Sequence, residues 1–406
     1  MRGRADVVVI GGGPMGALAA RCAAEAGAST VLLEQQVGNV ASSSCAGLVS
    51  PRTLPLLGAS QQSVLQSIRA VEAFGPNEQR IELRADDTKA FVLDRHRLEQ
   101  ELLGLAKEAG AEIRVGCRAK SVRSGRVEYA AARNDASLDA SVIILATGPS
   151  SQVARGSGLP GPARLLPSSQ ATIRVDAEET DRVSVYIGSD IAPGFFAWAV
   201  PAEPGILRVG LAVREGISAS ETLKKLLDAR FPEARVTSQV GGQVAIGPVA
   251  DPARDGILLV GDAAGHVKPL SGGGLYFGGI CARVAGRLAA EASISGRTTV
   301  SDLAEYGVRC SRAIGRELRF GLALRRLLDS LTDERLCEAM TALDHPDLLA
   351  FLAEIGDIDR LRGIPKALLK KRRLWRRLVP FLGLLDRLLV GDDSDSAVVP
   401  ALADFL

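Results

Sequence analysis

The segment that most constrains this chain runs from Asp6 to Glu34. Asp6–Ile10 (DVVVI) is a short apolar run rich in β-branched residues, the mark of a parallel strand buried on both faces. It leads into Gly11-Gly12-Gly13-Pro14-Met15-Gly16, then an alanine-rich helical stretch (17–26), then a second strand (30–33) ending at Glu34. A bare G-x-G-x-x-G is weak, but set between strand and helix and followed by an acid it specifies a βαβ unit that holds a dinucleotide. Gly11 permits the tight turn, Gly13 lets a pyrophosphate approach the backbone, and Gly16 allows close helix–strand packing. Glu34, 21 residues after Gly13, is placed to accept hydrogen bonds from a ribose.

A second stretch, Asp255 to Gly279 (DGILLVGDAAGHVKPLSGGGLYFGG), has the same logic. A buried strand ends in Gly261-Asp262, whose carboxylate suits a cofactor's hydroxylated chain. Gly272, Gly273 and Gly274 leave room for a flat ring, and the helix start behind them directs unpaired N–H groups at it.

Between these stretches the loop 40–52 (VASSSCAGLVSPR) is small and polar. Cys45 there is either a small buried hydrophobe or part of a cofactor loop. Short alternating segments between 71 and 92 (AVEAF, RIELRA, KAFVL) predict antiparallel strands of a second sheet. Asp94 is the expected N-cap of a helix carrying Leu98, Leu102 and Leu105 on one face, and Arg95 is either a solvated charge or a cation aimed at a phosphate. Strands over 112–115, 119–122 and 141–145 return to the first domain, the last ending at Ala146-Thr147-Gly148. Segments 169–175, 182–187, 195–200 and 206–213 predict an antiparallel sheet that either walls a substrate pocket or packs on the first domain's helices. From Ser301 onward the pattern is helical. Residues 366–390 (KALLKKRRLWRRLVPFLGLLDRLLV) carry eight Lys or Arg against Asp386 alone. This basic amphipathic segment suits an anionic membrane surface, or else packs on the body with a solvated basic face.

With 47% hydrophobic and 24% charged residues and a net charge of +2, composition gives no reason to expect nucleic acid, and 4% aromatics supply no stacking platforms. The six cysteines lack paired spacing and the three histidines are dispersed, so neither a disulfide framework nor a metal centre is expected. No run is long enough for a membrane span and Met1–Arg4 leads straight into a strand, so the expected compartment is the cytoplasm, with peripheral attachment at the inner membrane surface.

Taken together, the N-terminal glycine motif, the Asp94-Arg95 helix start, Ala146-Thr147-Gly148 and the Gly261-Asp262 loop resemble the FAD-binding pattern of glutathione-reductase-type flavoproteins in the branch containing para-hydroxybenzoate hydroxylase. Within it the chain is most similar to the geranylgeranyl reductase family. Gly261-Asp262-Ala263-Ala264-Gly265-His266-Val267-Lys268-Pro269 with Gly272-Gly273-Gly274-Leu275-Tyr276 resembles that family's flavin loop. Cys45-Ala46-Gly47 sits where the family has a cysteine near the flavin. Phe196-x-Trp198-x-Val200-Pro201, followed by Gly210-x-Ala212, is similar to its Y-x-W-x-F-P…G-x-G substrate motif, with Phe196, Val200 and Ala212 as departures. The resemblance extends to Gly356-Asp357-Ile358-Asp359 in the helical C-terminus.

The resemblance implies an α/β fold: a Rossmann-like FAD-binding domain with a parallel sheet (1–70, 92–158 and 248–296), an antiparallel-sheet substrate domain (71–91 and 159–247) and a helical C-terminal region (297–406). It implies that Gly11, Gly13, Met15, Gly16, Glu34, Cys45, Ala46, Gly47, Arg95, Ala119, Gly261, Asp262, Gly274 and Leu275 contact FAD. Phe196, Trp198, Pro201 and Gly210 would face substrate, and Cys45 or Tyr276 would deliver a proton. The implied activity is reduction of C=C bonds in a prenyl lipid or isoprenoid, with electrons from a ferredoxin or NAD(P)H. The rival expectations are a flavin-dependent aromatic hydroxylase or halogenase, and a flavoprotein that only passes electrons at a membrane.

Overall fold

The computed structural model describes residues 2–38, 45–131, 134–176, 181–371, 373 and 374. The first domain is organised on a sheet in the order Ala253–Arg254, Ile257–Leu259, Asn134–Leu145, Arg2–Ile10, Thr30–Glu34, Glu112–Val115. Apart from the short antiparallel Ala253–Arg254 edge, neighbours run parallel, with Ile10 beside both Leu145 and Leu33. The apolar run of the first strand is explained by two different coverings. Val7 and Val9 pack on the helices Pro14–Glu25, Arg95–Glu108 and Leu275–Ser295, while Val8 and Ile10 pack toward the antiparallel strands Cys117–Arg123 and Arg126–Ala131. With both faces covered, alternation in polarity disappears from the sequence.

The second domain is a sheet in the order Arg235–Ile246, Arg164–Arg174, Ile206–Ala212, Ala197–Glu203, Arg182–Tyr186, Ala70–Phe74, Arg80–Arg84. Its pairs are antiparallel except Arg182–Tyr186 against Ala70–Phe74. Ala197 and Ala199 face the helix Ala219–Arg230 through Leu223, Leu226 and Leu227, whereas Trp198 and Val200 face the opposite way. This sheet's core is therefore built on its own helix rather than on those of the first domain. One sequence expectation is corrected here: KAFVL does not join this sheet. Ala90–Leu93 forms a separate small sheet with Leu48–Val49 and Val64–Ile68, which roofs the Trp198 side. The long strand Arg235–Ile246 was not expected, since Gly241-Gly242 interrupts its pattern.

After the short helix Val300–Leu303, the C-terminal region continues with Glu305–Ser330, which buries Tyr306, Cys310, Ile314 and Leu318 at helical spacing. The Tyr306 hydroxyl donates to the Leu259 carbonyl at 2.7 Å, tying this helix to the parallel sheet. Among the described residues no helix is long and apolar enough to cross a membrane. The basic segment 366–390 lies outside the described residues beyond Leu374, as do residues 40–44 of the loop before Cys45.

Candidate active site

The strand Arg2–Ile10 ends in a loop held by Gly11, whose N–H donates to Leu33 O at 2.9 Å. Gly11 has φ +105°, and a Cβ there would overlap the Ala146 carbonyl. A Cβ on Gly16 would overlap Gly11 O, so the helix Pro14–Glu25 comes this near the strand only because residue 16 has no side chain. A Cβ on Gly13, by contrast, would meet nothing within 4 Å. Gly13 is the N-cap of that helix, no side chain caps it, and Pro14 follows, which leaves first-turn N–H groups directed at open space. Glu34 stands beside this opening, its carboxylate accepting from Gly12 N at 2.5 Å and Gln36 N at 2.8 Å. The opening is a crevice of about 950 Å³ whose lining includes Gly11, Gly13, Glu34, Ala119 and Thr147.

At the other end, Asp262 sits in the single turn Gly261–Ala264 that follows the strand Ile257–Leu259. A Cβ on Gly274 would come within 2.6 Å of Asp262 Oδ1, so the glycine is what lets the loop close on this carboxylate. Gly274 caps the helix Leu275–Ser295 without a side-chain hydrogen bond, leaving the Leu275 and Tyr276 N–H groups open. Burial raises the Asp262 pKa, and the Arg95 cation acts against that rise. Met15 packs its side chain against Gly261 and Gly278, bridging the two glycine loops.

Of the two expectations for Arg95, the solvated charge is ruled out by its burial. Its side chain is 14% exposed and it bonds Glu99 at 2.7 Å. Burial works against the charged form, but the neighbouring Cys45 and Glu99 hold its pKa above the usual value. Arg95 Nε and Thr147 Oγ1 are buried without a hydrogen-bond partner. Such orphaned polar atoms are costly unless a ligand meets them. Open helix N–H groups, a paired acid beside the crevice, a carboxylate on a glycine loop and these orphan donors fit an FAD laid from Glu34 to Gly274.

The substrate-motif residues converge on the Cys45 loop through a contact that sequence reasoning missed. Trp198, Gly210 and Gln170 are register neighbours on three adjacent strands. Because Gly210 has no side chain, the indole lies across it, and a Cβ would be 2.6 Å from Trp198 Cζ2. Trp198 Nε1 then donates to Gln170 Oε1 at 3.1 Å, and Gln170 Nε2 donates to the Cys45 carbonyl at 3.5 Å. Arg208, two residues before Gly210, donates to Ala46 O at 2.8 Å and Leu93 O at 2.9 Å. Cys45 itself is half-buried, its sulfur accepting from Gly47 N at 3.4 Å. Phe196 meets the Trp198 ring edge-on at 5.9 Å, while Pro201 lies where the pairing of its strand becomes irregular. Tyr276 packs on the first domain's core near Arg52 and makes no side-chain hydrogen bond among the described residues.

Two further groupings were not legible. Lys268 donates to Asp359 Oδ1 at 2.8 Å and to Ile358 O at 3.1 Å, their side chains being 10% and 0% exposed. With the Arg52–Asp357 ion pair, this fastens Gly356–Asp359 onto the flavin loop. Behind that loop His266, Cys281 and Cys310, expected to be dispersed, place one ligand atom each within 4.8 Å of one another in the core. Burial lowers the His266 pKa to about 4 and pushes the Cys281 thiol well up.

Comparison with known proteins matches an FAD binding domain family over residues 4–315. A digeranylgeranylglycerophospholipid reductase 2 of Methanopyrus kandleri is 32% identical, covering 85% of this chain and 91% of that protein. Its namesake in Methanothermobacter thermautotrophicus is 33% identical over 89% and 97% respectively. Among solved structures, a geranylgeranyl bacteriochlorophyll reductase-like protein of Thermoplasma acidophilum shares the fold with a TM-score of 0.81 at 20% identity, both chains fully covered. The p-nitrophenol 4-monooxygenase of Pseudomonas putida follows at 0.69 and 20%, covering 87% of this chain and 97% of that one. A family match across three quarters of the chain, and reductase relatives matched over nearly their whole length, agree with the site's geometry: the cofactor is FAD, and the chain belongs to the geranylgeranyl reductase family of flavoproteins.

Proposed function

We propose that this chain is an FAD-dependent reductase that saturates isolated C=C bonds in the polyprenyl chains of a lipid of the digeranylgeranylglycerophospholipid kind. The observation that carries this reading is the match to digeranylgeranylglycerophospholipid reductases over nearly their whole length, and an apolar cluster of Trp198, Val200, Leu48 and Ile358 beside the Cys45 loop supports it. Through Gln170 this cluster is hydrogen-bonded to the Cys45 loop. An unactivated alkene offers no carbonyl to polarise, so the protein must hold the chain in reacting geometry and supply a proton.

Bound FAD, once reduced, supplies the hydride. Gly11, Gly13, Met15, Gly16 and Glu34 would hold its pyrophosphate and ribose end, with Ala119 in the crevice floor. Gly261, Asp262, Gly274 and Leu275 would hold the ribityl and ring end, and Cys45, Ala46, Gly47 and Arg95 would lie along it. For the second hydrogen, the Cys45 S–H bond breaks as the new C–H bond forms. The thiolate left behind faces the Arg95 and Arg208 guanidinium groups. Tyr276, beside Arg52, is the second candidate donor. Deuterium incorporation from heavy water that is lost in Cys45→Ala and kept in Tyr276→Phe would assign the step to the thiol. Electrons reach the flavin from a ferredoxin or from NAD(P)H bound in passing, since no second strand–G-x-G-x-x-G–helix unit is present in the sequence.

Anaerobic incubation of dithionite-reduced holoenzyme with the prenyl lipid, followed by mass spectrometry, should give products heavier in steps of two hydrogens. An unchanged mass, or gain of oxygen or halogen when air or halide is admitted, refutes the reading.

A further inference from the structure

On a different face, the helix Glu305–Ser330 borders a groove of about 1170 Å³. Arg312, Arg316 and Arg319 line it at i, i+4 and i+7, so three like charges share one side of the helix, where they repel one another. Elsewhere on the same helix Arg309 pairs with Glu305 and Arg325 with Asp329, while the exposed Arg326 lies outside the groove's lining. Arg312, Arg316 and Arg319, together with Arg360 on the facing segment, are exposed and have no ion pair or side-chain hydrogen bond among the described residues. Arg362 also lines the groove but is engaged by Glu317 at 3.6 Å, and Asp251 is the other acid present. Four uncompensated guanidinium groups in one concavity are an anion site in search of its anion.

The floor narrows the choice of anion. Val300 and Val308, 46% and 55% exposed, line the same groove beside Pro252. Exposed apolar side chains beside guanidinium groups in one groove match an amphiphile with a phosphate head. Guanidinium forks grip phosphate oxygens two at a time. The sequence continues from Arg360 and Arg362 into Lys366, Lys370, Lys371 and Arg373, more positive charge close by in the chain. On its other side Arg360 adjoins Asp359, which holds Lys268 of the flavin loop. A bilayer gripped here would lie one residue from the segment fastened to Lys268 of the flavin loop.

We propose that this groove binds the phosphate headgroups of anionic phospholipids and seats the enzyme on a bilayer surface; the proposal rests on the lipid-reductase reading. The test is co-sedimentation of the full-length FAD-loaded protein with vesicles of phosphatidylcholine, alone or mixed equally with phosphatidylglycerol. Wild type should bind the mixed vesicles, and added salt should weaken that binding. Arg312→Gln/Arg316→Gln/Arg319→Gln should bind them roughly tenfold or more weakly. Lys224→Gln/Lys225→Gln/Arg235→Gln, with equal charge removed on the substrate domain, should bind as wild type. Val308→Asp, at an exposed floor position, should also weaken binding, which keeps the test open if the triple variant folds poorly. Reduction of detergent-dispersed prenyl lipid should be unchanged in the groove variants, so failure here is separable from failure of the reductase reading. Undiminished vesicle binding by both groove variants overturns the proposal. So does protection by inorganic phosphate without vesicle binding, or loss of binding to a small acidic ferredoxin alone.

Discussion

Removing either member of the Lys268–Asp359 pair should loosen the segment Gly356–Asp359, but by unequal amounts. In Lys268→Met the Asp359 carboxylate, fully buried, loses the sole partner that Oδ1 has among the described residues, and Oδ2 has none there to begin with. A buried charge stripped of its partner typically costs about 3–5 kcal/mol. In Asp359→Asn the ammonium keeps the Ile358 carbonyl at 3.1 Å, and the amide that replaces the carboxylate is neutral. That variant should lose only about 1.5–3 kcal/mol, the cost of one charged hydrogen bond. Because the opening is confined to one segment, the assay is hydrogen exchange across residues 346–363. At about 1.4 kcal/mol per tenfold, local opening should rise about a hundredfold to several thousandfold in Lys268→Met. It should rise roughly ten- to hundredfold in Asp359→Asn, and Lys268→Met/Asp359→Leu should recover most of the loss. Equal effects in the two single variants, or a double variant no better than Lys268→Met, would refute the argument that an uncompensated carboxylate drives the opening.

Asp262→Ala should weaken FAD retention by about 1–3 kcal/mol, because a ribityl hydroxyl loses its acceptor; an unchanged dissociation constant by fluorescence titration counts against the flavin placement. Because burial raises the folded-state Asp262 pKa, the FAD-free protein is relatively favoured below 3.8 and loses that advantage as pH rises through the raised value. Asp262→Asn should therefore stabilise FAD-free protein at neutral pH and not in acid, which melts at both pH values will show. His266 has the opposite sign: its folded pKa falls from 6.5 to about 4, so its contribution is complete above 6.5 and is lost as pH drops toward 4. His266→Gln should flatten the acid branch of a melting-temperature profile, the full effect being up to about 3 kcal/mol. Gln170→Leu should cut alkene reduction about tenfold or more while leaving FAD content intact, since it uncouples Trp198 from the Cys45 loop; loss of bound FAD instead would show that the bridge serves the cofactor.

What could be read in advance was local. Strand, glycine turn, helix and acid from Asp6 to Glu34 are neighbours in sequence, and the Asp94 cap forms as expected, accepting from His96 N and Arg97 N. The missed features join distant segments. Lys268 and Asp359 are 91 residues apart, and Gln170 reaches the Cys45 carbonyl across 125. No periodicity or spacing rule connects such partners. The strand Arg235–Ile246 was hidden because it is an edge strand, mostly exposed along its length, with a glycine pair at its centre. Cys281 and Cys310 were judged by sequence spacing, yet two packed helices bring their sulfurs to one place beside His266. In sequence Arg95 stays open between a solvated charge and a cofactor-facing cation for a related reason: only the fold reveals that it is enclosed beside Cys45 and Glu99.

The strand Ala197–Glu203 separates two kinds of change. Its odd residues, Ala197 and Ala199, fill the core under the helix Ala219–Arg230, while Trp198 and Val200 pack against the small sheet on the other side. Val200, where the family motif has Phe, is 1% exposed and enclosed with Ile68, Val92 and Val183. A larger residue at 200 would press on the small sheet, whereas one at 199 would press on the helix, so the same change one residue apart strains two different partners of one strand.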